Sequence, residues 1–172
     1  MKNFTRIVFC VLIIMLLTTS CSNLKQTEDT TEQLVAEPDL VPSKYDEVNN
    51  LDGVTMVVKG ENIVATGITV HFDNRSEKNC IYGEFYVLEM KVDDKWFEVP
   101  VVFEGNYGFN AIGYELKQNV TSEWSTDWEW LYGALDEGEY RIVKDILDFR
   151  GTGDYDTYIL AAEFSVGKKD EK

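Results

Sequence analysis

Three aspartates near the C-terminal end of the chain, interspersed with glycines, could offer several oxygens to a calcium ion. Asp148, Asp154 and Asp156 lie on either side of two glycines in the run DFRGTGDYD. Ca²⁺ binds carboxylate and carbonyl oxygens, and glycine allows a loop to curl around the ion. The run lacks the spacing of an EF-hand and its closing glutamate, and Arg150 can balance the charge of a solvated loop. The sequence therefore leaves two interpretations open, a calcium site and an acidic connection between two strands.

Aromatic residues make up the other concentration of chemically useful side chains. Trp124, Trp128, Trp130 and Tyr132 all lie at even-numbered positions, so one extended strand would point all four rings to one side. Such a row is either core or a stacking platform for a sugar or a peptide. We expect Trp124 in the core. Trp128, Trp130 and Tyr132 precede a turn and are the candidate ligand-binding residues.

The sequence offers little for catalysis. A serine or cysteine nucleophile normally needs a histidine base, and His71, the only histidine, lies at an outward position of a predicted strand. There is no Gly-x-Ser-x-Gly, no zinc spacing and no phosphate-binding glycine loop. Two carboxylates can hydrolyse a glycoside, but they need a cleft. We predict a protein that is not an enzyme and has no cofactor beyond the calcium candidate, with a small extracytoplasmic hydrolase as an alternative.

The first 20 residues have the form of an export signal. Lys2 and Arg6 precede the apolar run Ile7–Leu17, which is short for a membrane-spanning helix. Cys21 follows small residues directly after this run, which resembles the lipobox of bacterial lipoproteins. That resemblance implies cleavage before Cys21 and a fatty-acyl membrane anchor on its sulfur. Thr18 replaces the leucine usual in a lipobox, so a plain secretory signal is the alternative.

Cysteine usage agrees with this interpretation. Cys10 leaves with the signal and Cys21 carries the lipid, so Cys80 has no intramolecular disulfide partner. We expect Cys80 to be a small hydrophobic residue at the start of a strand.

The charge of the chain limits its partners. The 31 acidic and 16 basic residues give a net charge of −15, which disfavours binding to nucleic acid. Residues 21–50 combine low hydrophobicity, two prolines and excess acid, and Tyr45 is their only aromatic. This composition predicts a flexible tether. Residues 168–172 form a charged tail.

Residues 51–167 must supply the elements that position these candidate sites. Alternating apolar residues predict about seven to eight short strands, including residues 81–92 as one strand, and no convincing helix. Asp93-Asp94 predicts a tight hairpin, and residues 103–110 predict a long loop. Two packed antiparallel sheets bury one face of each strand, so the fold class is an all-β antiparallel sandwich.

One turn and the strand that follows it indicate which kind of β-sandwich the chain forms. In Leu135–Val143, Gly138 allows a tight corner, and Tyr140 can bury its ring and bond its hydroxyl to upstream backbone, as in immunoglobulin-like sandwiches. This stretch, with Tyr82-Gly83-Glu84, Asp94-Lys95-Trp96 and Ile112–Leu116, resembles a bacterial immunoglobulin-like domain family. Its members occur in lipoproteins and surface proteins of Gram-positive bacteria. The resemblance implies fold and location, and it supplies no catalytic residue.

The favoured hypothesis is a lipid-anchored protein on the extracytoplasmic face of the cell membrane. Its domain would bind a protein or a cell-wall component without catalysis. The alternative is a protease inhibitor of the same fold that inserts residues 103–110 into a protease cleft.

Overall fold

A computed structural model describes residues 40–167, with only the backbone of residues 60–62. The predicted signal peptide (1–20), Cys21, the tether up to residue 39 and the tail (168–172) lie outside the described residues. The described part includes no helix with the length and apolar character needed to cross a membrane.

Residues 40–167 contain nine strands and one helical turn. The strands are β1 (Val54–Val64), β2 (Gly67–Asn74), β3 (Cys80–Gly83), β4 (Val87–Val92), β5 (Lys95–Glu98), β6 (Gly113–Leu116), β7 (Val120–Asp127), β8 (Gly138–Gly151) and β9 (Asp154–Val166), and the turn is α1 (Glu129–Tyr132). The count exceeds the predicted seven to eight because residues 81–92 form two strands, β3 and β4, with a break between them.

The strands form two antiparallel sheets. The small sheet has the order β1-β2-β7. In the large sheet, β8 pairs with β9 on one side and with β3 and β4, end to end, on the other; β6 and β5 extend these two. β2 therefore pairs in one sheet. β8, which begins at the predicted tyrosine corner, lies centrally in the other, as in immunoglobulin-like domains. This confirms the predicted immunoglobulin-like β-sandwich.

Aromatic packing joins the two sheets. Phe72 of β2 and Tyr82 of β3 stack with their ring centroids 4.3 Å apart. Cys80 is buried at the start of β3, as predicted, and forms no disulfide. Burial raises the pKa of its thiol, which disfavours the reactive thiolate.

The predicted tyrosine corner is present at the start of β8. The buried Tyr140 hydroxyl donates a hydrogen bond to the Asp136 carbonyl at 3.0 Å. A Cβ on Gly138 would lie 3.2 Å from a carbon of the Tyr140 ring, so glycine lets the ring close over the turn. The corner fixes the direction in which the chain enters the large sheet.

The predicted Asp93-Asp94 hairpin is also confirmed. It connects β4 to β5, with Val92 paired to Lys95. Both aspartates have positive φ, 48° and 60°, as a two-residue type I′ turn requires.

Residues 41–50 lie across the outer face of the large sheet, and we call this segment the strap. At one edge of the sheet, the Ser43 N–H donates to the Trp96 carbonyl of β5 at 2.9 Å. At the other edge, the Asn49 N–H donates to the Ile159 carbonyl of β9 at 2.7 Å. The tether prediction is therefore wrong for this segment. Its order comes from partners distant in sequence, which local composition does not reveal.

Candidate functional site

Five aromatic side chains form a continuous patch on one side of the sandwich. They are Phe85, Phe103, Tyr107, Phe109 and Trp130, and we call them the aromatic surface. Trp130 is 45 % exposed and Tyr107 is 47 % exposed. Large aromatic rings gain free energy when they leave water, so a patch of this kind is typical of a binding surface.

Trp130 is the centre of this patch. Its ring centroid lies 5.9 Å from that of Phe103, 6.1 Å from that of Tyr107 and 6.3 Å from that of Phe109. The interplanar angles, 77°, 75° and 64°, are those of edge-to-face packing. The rings therefore hold one another in place before any partner arrives.

Two irregular parts of the chain bring these rings together. Residues 99–112 leave β5 without forming a strand, and the Val102 N–H anchors them to the Leu131 carbonyl of α1 at 2.9 Å. This confirms the predicted loop at 103–110. Within it, Phe109 packs on the buried Tyr86, with ring centroids 5.3 Å apart. The loop thus lies against the domain, whereas a protease-inhibitor loop has to project into a cleft.

The helical turn α1 separates the three predicted ligand-binding residues. Trp128 is fully buried, and its indole N–H donates to the Ala65 carbonyl at 3.0 Å. Tyr132 is also buried, and burial raises its pKa. The prediction that these rings share one exposed face is therefore wrong. β7 ends at Asp127, and the helical turn replaces the two-residue period, so only Trp130 points outward. Ligand binding by Trp130 stays a prediction.

Sequence reasoning missed Phe85, which lies in the break between β3 and β4. Residues 81–92 were predicted as one strand, which hid the break. Gly83 and Glu84 interrupt the apolar alternation at that point, and this was the available signal. The break turns Phe85 outward to pack on Phe109 at 5.5 Å between ring centroids.

A buried lysine supports the backbone of this break. Lys144 of β8 donates hydrogen bonds from Nζ to the carbonyls of Gly83, at 2.7 Å, and Phe85, at 3.1 Å. The same Nζ lies 3.4 Å from the ring centroid of Trp124. Burial lowers the pKa of Lys144 to about 7, against the raising effect of Glu84 and Asp145. The lysine satisfies two carbonyls that the interrupted strand pairing leaves open.

The predicted calcium-binding aspartates surround an arginine. Arg150 donates from Nη1 to carboxylate oxygens of Asp148, at 3.2 Å, and Asp156, at 2.9 Å, and from Nε to Asp154 at 2.9 Å. Asp148 also bonds Lys78. Residues 40–167 contain no group of three His, Cys, Asp or Glu side chains arranged to hold a metal ion. Ca²⁺ would have to displace the Arg150 guanidinium to bind here. The arrangement therefore favours the other interpretation, an acidic connection whose charge Arg150 balances.

His71 lies away from the aromatic surface. It is on the outer face of the small sheet, as predicted, and its Nδ1 is 3.0 Å from Glu123 Oε1 of β7.

The aromatic surface lies in an acidic part of the chain. Residues 96–140 contain nine acidic side chains and a single basic one, Lys117. Asp127 lies just before α1, Glu129 is its first residue, and Glu104 lies in the loop. This charge favours a cationic or neutral partner over an anionic one.

The fold and the exposed rings together define an immunoglobulin-like domain of the binding type. Residues 50–165 match the family model of the bacterial Ig-like domain, and the chain belongs to that family. Folds of this kind are typically non-catalytic. No curated protein matches the chain. Among solved structures, it is similar to the ASH/PapD-like domain 7 of human CEP192, at 9 % identity and a TM-score of 0.32, covering 74 % of this chain and 98 % of that one.

Proposed function

We propose that this chain is a bacterial surface lipoprotein whose Ig-like domain binds a protein or cell-wall partner through the aromatic surface. The observation that carries the proposal is the set of preformed, exposed ring contacts centred on Trp130. Rigid aromatic side chains contribute disproportionately to binding because they bury much area and lose little conformational freedom.

The anchor is the second part of the proposal. Residues 1–21 carry the export signal and Cys21 carries the acyl chains, which keeps the domain on the extracytoplasmic face of the membrane. The proposal predicts that the wild-type chain partitions into the detergent phase of a Triton X-114 extraction. Cys21→Ala should move it to the aqueous phase, and mass spectrometry should find a diacylglyceryl group on the N-terminal peptide only in the wild type. An unmodified Cys21 would contradict the anchor and leave the binding surface untouched.

Site-specific photo-crosslinking tests the binding surface. A photoreactive phenylalanine analogue replaces Tyr107 in the full chain, expressed in the source cells. We expect a discrete crosslinked product, since the residue lies in the patch. Adding Trp130→Ala should reduce that product several-fold, because it removes the central ring.

A matched control uses exposed aromatic residues elsewhere on the domain. Phe149 and Tyr155 pair across the β8–β9 hairpin and are exposed to a similar degree. The photoreactive residue at position 155 should give no discrete product, and Phe149→Ala should leave the product from position 107 unchanged. Equal crosslinking from both positions would contradict a role for the aromatic surface.

A further inference from the structure

A small pocket opens beside the aromatic surface. Its volume is about 180 Å³. The walls include Glu84, Tyr86, Phe109, Asn110, Thr126 and Trp130. It thus combines the exposed ring of Trp130 and the half-buried ring of Phe109 with a carboxylate, an amide and two hydroxyl groups.

One polar atom in the pocket lacks a partner. Tyr86 is only 2 % exposed, and its buried hydroxyl makes no hydrogen bond of good geometry, although the Thr126 hydroxyl lies beside it. Burying a hydroxyl without a partner costs free energy, so native proteins rarely leave one in this state. A ligand that donates a hydrogen bond to the Tyr86 oxygen would satisfy it.

Glu84 supplies the negative charge. The Tyr114 hydroxyl donates to its Oε1 and holds the side chain in place. Within residues 40–167, no hydrogen bond or ion pair reaches its Oε2. Burial raises the pKa of Tyr86, and the nearby carboxylates of Asp127 and Glu84 raise it further. Lys144 is not in the pocket wall, and its Nζ donates to the carbonyls of Gly83 and Phe85.

The rings complete an arrangement suited to a cation. Phe109 and Trp130 meet at 64° with centroids 6.3 Å apart, and Tyr86 packs on Phe109 from below. Aromatic faces attract ammonium and guanidinium groups, and a carboxylate beside them adds direct pairing. An anionic ligand would face the Glu84 carboxylate, and a purely apolar one would leave the Tyr86 hydroxyl and Glu84 unsatisfied.

We propose that this pocket receives a cationic side chain of the partner, a lysine ammonium or an arginine guanidinium. The proposal rests on the proposed binding function and names the chemistry of its partner. The cation donates to Glu84 Oε2 and to the Tyr86 oxygen, and the neighbouring apolar residues of the partner cover the aromatic surface.

Fluorine NMR of the full chain in lipid nanodiscs tests this. The chain is labelled with 5-fluorotryptophan, and the Trp130 signal is assigned from Trp130→Phe. The probes are n-butylammonium and n-butylguanidinium, with n-butanol and butyrate as the neutral and anionic analogues. We expect saturable shifts of the Trp130 signal by both cations, with apparent Kd at least about tenfold below that of butanol. Trp96, on the other face of the large sheet, should not shift.

Substitutions separate the pocket from general acidity. Glu84→Gln should bring cation binding to the level of butanol, whereas Glu104→Gln, an exposed acid of the 99–112 loop that lies outside the pocket, should leave it unchanged. Thr126→Val, which removes a hydroxyl from the wall, is the second variant if Glu84→Gln loses the dispersed fluorine spectrum of the folded domain. It should weaken cation binding several-fold.

The outcomes distinguish the two proposals. Equal shifts by butanol and the cations, or no shift by the cations, would overturn the cation pocket even if crosslinking at position 107 succeeds. Cation binding that depends on Glu84 would support the pocket even if crosslinking fails. In that case the proposed partner, and not the pocket chemistry, would be wrong.

Discussion

β8 carries two buried cations on its opposite faces, and they are stabilised in different ways. Arg141 lies on the outer face beneath the strap, where its Nε is 2.5 Å from Glu89 Oε2. Its guanidinium lies 4.5 Å from the ring centroid of Trp96. Its Nη2 donates to the Ser43 hydroxyl of the strap at 3.3 Å. It therefore has a full ion pair in a setting that excludes water.

Lys144 lies on the inner face and bonds only to neutral groups. It too lies over a tryptophan ring, but its hydrogen-bond partners are two carbonyls. The difference follows from the chemistry of the two side chains. Arginine keeps its proton in proteins and needs a counter-charge when buried, whereas lysine releases its proton when burial makes the charge too costly. One strand thus tolerates a paired charge on one face and a titratable amine on the other.

Breaking the ion pair should have the largest effect. Glu89→Leu leaves Arg141 buried without a counter-charge, so we expect the free energy of unfolding to fall by about 3–5 kcal/mol. Urea unfolding followed by tryptophan fluorescence measures it. The double variant Glu89→Leu/Arg141→Met should recover most of the loss, because an apolar pair can replace a buried ion pair. A loss below about 1 kcal/mol for the single variant would mean that Arg141 reaches water.

The pH dependence of stability should distinguish Lys144 from Arg141. Its pKa is lowered in the folded state to about 7, from 10.5. The unfolded chain therefore binds more protons between these values, and stability must rise with pH in that window. We expect Lys144 to contribute an increase of about 2 kcal/mol from about pH 7 to pH 9.

Lys144→Met provides the comparison for this prediction. The difference in unfolding free energy between wild type and variant should shift in favour of wild type across this range. Contributions from Cys80 and the buried tyrosines cancel in the difference. A difference independent of pH would show that the charged form is retained, as a strong interaction with the Trp124 ring would cause.

Removing the ring beside the arginine should have the smallest effect. Trp96→Leu keeps an apolar cover but removes the aromatic face, so we expect a loss of about 1 kcal/mol in the free energy of unfolding. Trp96→Phe retains a ring and should lose less. Equal losses for the two variants would assign the effect to volume rather than to the cation–π contact.

Local sequence patterns predicted the elements whose geometry is local. The Asp93-Asp94 turn and the Tyr140 corner depend on neighbouring residues, and both are confirmed. The strap could not be predicted in this way, because its hydrogen-bond partners are distant in sequence. Ser43 bonds Trp96 of β5, and Asn49 bonds Ile159 of β9. Lys144 was detectable, since it shares the parity of Tyr140 and Ile142, which are both buried.

The candidate site was predicted only in part for a similar reason. Trp130 and the loop at 103–110 were identified separately, but nothing in the sequence indicated that they meet. Their contact depends on α1, a four-residue turn too short to show a helical period. That turn decides which of three nearby aromatic rings faces the solvent.

The strap also determines the order in which the domain can be completed. Its residues are synthesised before any strand, yet the Asn49 side chain accepts a bond from the Ala161 N–H, 112 residues further along the chain. That partner belongs to β9, the last strand of the described residues. The Asn49 end of the strap can therefore dock only after β9 has been made. The contact closes a long loop, so its formation carries an entropic cost that contacts between sequence neighbours avoid.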